Sequence, residues 1–180
     1  MREKPLVVNF FGSPSSGKST GSAYVFSELK MHGIECELVR EYAKDKVWEK
    51  NTKIFGNQPY IIGKQYHRMY ILEGEVDVMI TDSPILLPVL YNTRECIRTE
   101  VLEQLALDMF KSYDNLNYLL VRNKPYNENG RNQTEEEADQ IHNQIVDLLA
   151  RNYIGYSEII GDDLGYDKVV VDVLEELGVM

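Results

Sequence analysis

Residues 12–19 read Gly-Ser-Pro-Ser-Ser-Gly-Lys-Ser, a complete G-x-x-x-x-G-K-[ST] pattern directly behind the apolar run Leu6-Val7-Val8-Asn9-Phe10-Phe11. Few local patterns restrict a fold so tightly. The two glycines let the chain curl until successive backbone N–H groups face one phosphate. In such a loop Lys18 supplies positive charge for the β- and γ-phosphates, and the Ser19 hydroxyl is placed to ligate Mg²⁺. The apolar run predicts a buried parallel strand and residues 17–31 predict a helix, which gives the order strand, loop, helix. A nucleoside triphosphate is expected to bind through Gly12, Ser15, Ser16, Gly17, Lys18, Ser19 and Thr20.

With 180 residues, 43% of them apolar and 27% charged, the chain has the length and composition of a single globular domain spanning 1–180. No apolar stretch approaches the roughly 20 residues that cross a bilayer. The N-terminal residues run straight into the first expected strand, so no secretory leader is expected. Cys36 and Cys96 lack metal-ligand spacing and read as reduced thiols, so a cytoplasmic protein is expected. The net charge of −10 disfavours adhesion to nucleic acid or anionic membrane. Residues 40–68 run against that trend. Seven cationic side chains face three anionic ones there, a local excess of four positive charges that leaves the remainder at −14. Such a segment suits a phosphorylated substrate or a solvated helix face.

Apolar runs at 34–39, 76–81, 116–121 and 156–160 predict four more strands. Helical patterns fall at 40–53 before a break, at 59–74, 98–112, 134–153 and 166–177. Thr134 and Glu137 have the spacing of a capping box. Residues 123–134, polar and punctuated by Pro125 and Gly130, read as a mobile lid. Alternating strands and helices imply an α/β fold: a five-stranded parallel sheet flanked by helices in three layers, with a small lid. Ligands in such sheets bind at the carboxyl ends of the strands.

That rule selects residues for chemistry. Asp82 ends the third strand, where an acid can organise Mg²⁺ together with Ser19, since phosphate-bound Mg²⁺ needs one or two protein ligands. Ser83-Pro84 also reads as an N-cap followed by an N1 proline, which would make Asp82 a helix-dipole acid. Glu41, just past the second strand, is placed to accept or orient the proton of an acceptor hydroxyl, with Asp82 the competing base. Arg131, with Lys124 or Arg122, can close from the lid and neutralise transition-state charge. Gln65, Tyr66 and Arg68 form a polar-aromatic cluster suited to an acceptor pocket; the alternative is that Tyr66 and Tyr70, four residues apart, cover the sheet as core.

The segments GSPSSGKST (12–20), VREYAKD (39–45), Gly63-Lys64-Gln65-Tyr66, VDVMITD (76–82), YLLVRNKPYNENGR (118–131) and IIGDD (159–163) together resemble the P-loop kinases of nucleosides and related ribosides. The chain looks most like the nicotinamide riboside kinase domain of bacterial NAD-biosynthesis proteins and its small-ATPase relatives classed as AAA. It is also similar to deoxynucleoside kinases, where an acid after the second strand acts as base, matching Glu41, and a helix Gln reads the nucleobase, matching Gln65. Their acid-Arg-Ser motif is only partly present, because Asp82 is followed by Ser83-Pro84.

The resemblance implies a P-loop NTPase fold and an ATP- and Mg²⁺-dependent kinase. Lys18, Glu41, Asp82 and Arg131 would act on the phosphoryl group and its acceptor, and the acceptor would be a small nucleoside, nucleotide or riboside near Gln65. Two other readings stay open. One is a kinase acting on a hydroxyl of a polynucleotide, which the net charge disfavours; the other is a regulatory P-loop NTPase. Oligomeric state is open between monomer and homodimer.

Overall fold

The strand behind the phosphate loop is buried along its whole length, and the sheet is built outward from it. The computed structural model describes residues 4–93, 97–123 and 134–180. The strands are β1 (Leu6–Phe11), β2 (Cys36–Val39), β3 (Val78–Thr81), β4 (Asp114–Val121) and β5 (Ser157–Ile160). They form one parallel sheet in the order β2-β3-β1-β4-β5. All six residues of β1 are buried, as a central strand covered on both faces requires.

Side-chain alternation along β1 sorts the helices into two layers. Leu6, Val8 and Phe10 pack with Val25 and Leu29 of α1 (Lys18–Met31) and with Val169 and Val173 of α6 (Asp163–Glu176). On the opposite face, Phe11 and Leu119 pack with Leu102 and Ala106 of α4 (Thr99–Lys111) and with Ile145 and Leu148 of α5 (Glu135–Arg151). Val7 and Met79 complete that face with Met69 of α3 (Gln58–Tyr70). The exception in β1 is Asn9, 1% exposed, whose Nδ2 donates to the side-chain oxygens of Asn115 (2.8 Å) and Asn117 (3.1 Å) on β4. A buried amide with such partners avoids the desolvation cost of an unpaired one. Cys36 lies fully buried in the α1–α6 layer, and burial pushes its thiol up to about 11, which makes it inert.

Four helical expectations change, the first being that of 59–74, which ends as α3 at Tyr70. The pattern over 40–53 divides into α2 (Tyr42–Trp48) and a 3-10 turn (Thr52–Gly56). The last helix begins at Asp163, three residues before the expected start, because the Asp162 side chain caps it by accepting from the Gly165 N–H at 3.0 Å. Ser83-Pro84 starts no α-helix: the Leu87 N–H donates to the Pro84 carbonyl, and a 3-10 turn (Leu87–Tyr91) follows.

The capping box of α5 forms with both of its bonds. The Glu137 N–H donates to Thr134 Oγ1 at 3.2 Å, and the Thr134 N–H donates to Glu137 Oε2 at 2.7 Å. Thr134→Ala is expected to destabilise the protein by about 1 kcal/mol, seen in a thermal melt as a fall of roughly 2–4 °C.

Candidate active site

The carboxyl ends of β1, β2 and β3 lie side by side, so whatever follows these strands shares one rim. After β1 the chain curls. Ser15 adopts a φ of 68°, and the Ser16 N–H donates to the Ser13 carbonyl at 3.2 Å. Gly17 caps α1 at a φ of 99°, a conformation that L side chains rarely adopt, and a Cβ there would sit 2.5 Å from the Tyr166 hydroxyl. A left-handed residue within a turn aims consecutive N–H groups to one side, and the start of the 14-residue α1 adds the positive end of its dipole.

Lys18 Nζ folds back over this curl and donates to the carbonyls of Gly12 (2.7 Å) and Ser13 (2.9 Å). Its ammonium is thereby held across the loop. Ser16 Oγ is buried with no hydrogen-bond partner among the described residues, and a Cβ on Gly12 would fall 2.5 Å from it. A tight curl with an orphaned hydroxyl at the N-terminus of a 14-residue helix fits a polyphosphate. Thr20 is exposed in the first turn of α1, and Ser15 is half-buried at the crest of the loop.

Asp82 joins the three strand ends. Its Oδ2 accepts from the Ser19 hydroxyl at 2.6 Å, and its Oδ1 accepts from the Glu41 backbone N–H at 3.2 Å. Asp82 is 8% exposed, whereas Ser19 is exposed and Glu41 half-buried, so the acid lies beneath the rim with its partners above. An oxygen pair of this kind suits Mg²⁺ that keeps most of its water. Among the described residues, no group of three or more His, Cys, Asp or Glu could hold a metal ion, which excludes there an all-protein cage built from those residues.

The acceptor-side residues chosen from sequence fall in different places. Gln65 is buried, its Oε1 accepting from the Tyr42 N–H at 3.1 Å, while its Nε2 reaches Thr81 Oγ1 at 3.5 Å. The amide thus ties the start of α2 to the end of β3. Arg68 donates to the Arg40 carbonyl (2.8 Å) and to Asp45 Oδ2 (3.0 Å), with its guanidinium 5.3 Å from the centre of the Tyr42 ring. Both side chains brace the segment that carries Glu41. Tyr66 packs against two of the core clusters, with the Tyr70 ring 6.3 Å away. Arg122 pairs with Asp139 (2.7 Å) and Glu135 (3.2 Å) at the start of α5. Lys124 and Arg131 lie outside the described residues, with nearly all of the expected lid.

Sequence reasoning missed two neighbours of the site, Tyr166 and Tyr91, and assigned no role to a third, Gly161. Tyr166, 2% exposed, donates its hydroxyl to the Gly17 carbonyl at 3.0 Å from beneath the loop. Gly161 follows β5 and touches Ser16. Tyr91, at the end of the 3-10 turn and exposed, lies near the Glu41 carboxylate; partial desolvation first and that charge second raise its phenol pKa. Neither tyrosine carries a local signature: Tyr166 is an ordinary aromatic position in a helical pattern, and Tyr91 falls between the expected elements. Gly161 is selected in the sequence by its place at the carboxyl end of the last strand, within the segment 159–163.

No curated protein matches the sequence. Among solved structures, the NadR protein in complex with NR has a TM-score of 0.70 at 21% identity, covering 98% of this chain and 52% of that one. The chain therefore spans about half the length of that protein. A thymidylate kinase from Ehrlichia chaffeensis has a TM-score of 0.61 at 13% identity, covering 97% of this chain and 99% of that one. At such identities the likeness is one of fold, and that fold is the P-loop NTPase α/β architecture. Residues 7–164 match the family described as AAA domain, a span that takes in the phosphate loop, Glu41 and Asp82. This chain belongs to the AAA domain family.

Proposed function

We propose that residues 1–180 form one kinase domain that uses ATP and Mg²⁺ to phosphorylate a hydroxyl of a nucleoside-like acceptor. The observation that carries this reading is Asp82, whose two oxygens join Ser19 at the phosphate loop to the backbone of Glu41 at the next strand end. A triphosphate-binding loop alone serves switches and motors equally well. A loop coupled to a second acid on the acceptor side suits phosphoryl transfer.

Lys18 and the loop amides would hold the β- and γ-phosphates, and Ser19 and Asp82 would hold Mg²⁺, which when bound neutralises phosphate charge. With both Asp82 oxygens engaged, the Glu41 carboxylate is the group assigned to take the acceptor proton. The acceptor oxygen then bonds to the γ-phosphorus while the bond to ADP breaks, and the proton stays on Glu41. Arg131 would close from the lid. Gln65 and Arg68 are assigned to positioning α2 and Glu41, and Tyr66 to packing. The names of the two neighbours, one bound to NR and one a thymidylate kinase, support a nucleoside-like acceptor.

ATP consumption across nucleosides, ribosides, monophosphates and hydroxylated oligonucleotides tests the reading. Stimulation by one acceptor class with stoichiometric product supports it, and chelation of Mg²⁺ should then stop turnover. Hydrolysis indifferent to every acceptor would replace it with the regulatory NTPase. In the same assay Glu41→Gln is expected to lower kcat by about 10²–10⁴-fold with little change in KM for ATP.

A further inference from the structure

Residues 42–56 make a surface that the core does not require. Neither α2 nor the 3-10 turn after it buries a single residue, whereas each other α-helix buries four or five. The segment is held instead by polar and ring contacts to α3. Tyr42 and Tyr60 meet edge to face at 5.8 Å with their hydroxyls 3.1 Å apart. Lys46 lies 5.4 Å from the Tyr42 ring, and Lys64 lies 5.6 Å from the Tyr60 ring. Trp48 is 68% exposed, and it is the one tryptophan of the chain.

The charge on this surface is as distinctive as its aromatic content. Of the three carboxylates in residues 40–68, Asp45 is paired with Arg68 and Glu49 with Lys46. The local positive excess therefore rests on other side chains, among which Lys50, Lys53 and Lys64 are exposed. α2 alone extends about 10 Å, and the 3-10 turn continues the strip, more length than one phosphate needs. Outside it the chain is strongly acidic, which restricts a polyanion to this strip. Rings interleaved with cations match a strand whose bases are unstacked and whose phosphates follow one another.

We propose that this surface binds single-stranded nucleic acid, running past Trp48 and Tyr60 towards Glu41. Resting on the kinase reading above, it makes the acceptor a nucleoside unit carried on a strand. Bases stack on the exposed rings and lysines meet the backbone, while a hydroxyl of the strand is delivered to the rim. A duplex fits worse, because its stacked bases offer no faces to Trp48 and Tyr60.

Because Trp48 is unique, tryptophan fluorescence reports this surface directly. The intact chain is titrated, without ATP, with a short oligothymidylate, thymidine monophosphate, and vesicles containing phosphatidylserine. Saturable quenching by the oligonucleotide is expected, with affinity falling roughly 20- to 50-fold between about 50 and 200 mM salt, as three or four phosphate contacts require. The paired substitutions Lys50→Glu and Lys53→Glu should weaken binding about tenfold or more with the melting temperature unchanged. Trp48→Ala, followed by anisotropy of a labelled oligonucleotide, should weaken it about tenfold.

Absent or salt-independent binding overturns the proposal. So does monophosphate binding as tight as the oligonucleotide's, or a preference for vesicles. The two readings fail separately: phosphorylation of free nucleosides without strand binding leaves the kinase and removes the surface. Strand binding with hydrolysis that no acceptor alters leaves the surface and removes the kinase.

Discussion

Lys18→Ala is expected to lower phosphoryl transfer by about 10²–10³-fold while leaving the fold intact. Its ammonium is held across the phosphate loop by the carbonyls of Gly12 and Ser13, at 2.7 and 2.9 Å. Pre-placed charge of this kind acts where negative charge is spread over the transferring oxygens, and loss of a single donor in such a position typically costs two to three orders of magnitude. The effect on stability is expected to be small, because Lys18 is only half-buried and water can replace it at the two carbonyls. Product formation with ATP and the preferred acceptor measures the first effect, and a melt without nucleotide measures the second. Near-normal turnover with a normal melt would remove Lys18 from the mechanism. Lys18→Arg should recover little, since a planar fork does not reproduce a compact ammonium in a tight curl.

Gly161→Ala is expected to produce a large loss of stability for a conservative change near the site. Gly161 is buried at the end of β5, and a Cβ there would overlap the backbone oxygen of Ser16. A flexible side chain could swing aside; a backbone carbonyl inside the phosphate loop cannot. Overpacking of this kind costs about 1–3 kcal/mol, or roughly 5–10 °C of melting temperature at the upper end. The displaced atom belongs to the loop, so KM for ATP should rise together with the loss of stability. Gly63→Ala provides the control. Gly63 is exposed within α3 with open space around its Cβ position, and the substitution should be neutral or stabilise by up to about 1 kcal/mol. A normal melt and a normal KM for Gly161→Ala would show that the contact between β5 and the loop does not constrain the triphosphate site.

Much of this molecule was readable along one dimension, and the reason is local. The curl at 12–19, the apolar runs of β1, β3 and β4, and the capping box at Thr134 and Glu137 are each specified by neighbours a few residues apart. The rim followed from them, because chain direction in a parallel sheet sends every strand end to the same side. What the sequence could not supply was the identity of distant partners. Gln65 was chosen for a base-reading amide, yet its bonds go to Tyr42 and Thr81, residues brought beside it by the pairing of β2 with β3. Arg68 shows the same effect, its guanidinium shared between Arg40 and Asp45. Tyr166 is separated from Gly17 by 149 positions, and no spacing rule reaches that far. The last helix starts earlier than its pattern because one capping side chain, that of Asp162, outweighs propensity at a boundary.

The two halves of the rim are not equally tethered. Ser19 and Asp82 adjoin β1 and β3, whose residues are all buried in the middle of the sheet. Glu41 stands at the head of a helix with no buried residue. In amide hydrogen exchange these parts should separate by orders of magnitude. Protons of β1 and β3 leave only when the whole molecule unfolds, while those of α2 leave through brief local openings of much lower free energy. The donor side then behaves as a fixed anvil and the acceptor side as a hinged jaw, whose slowed exchange would report an acceptor in place even when no phosphate is transferred.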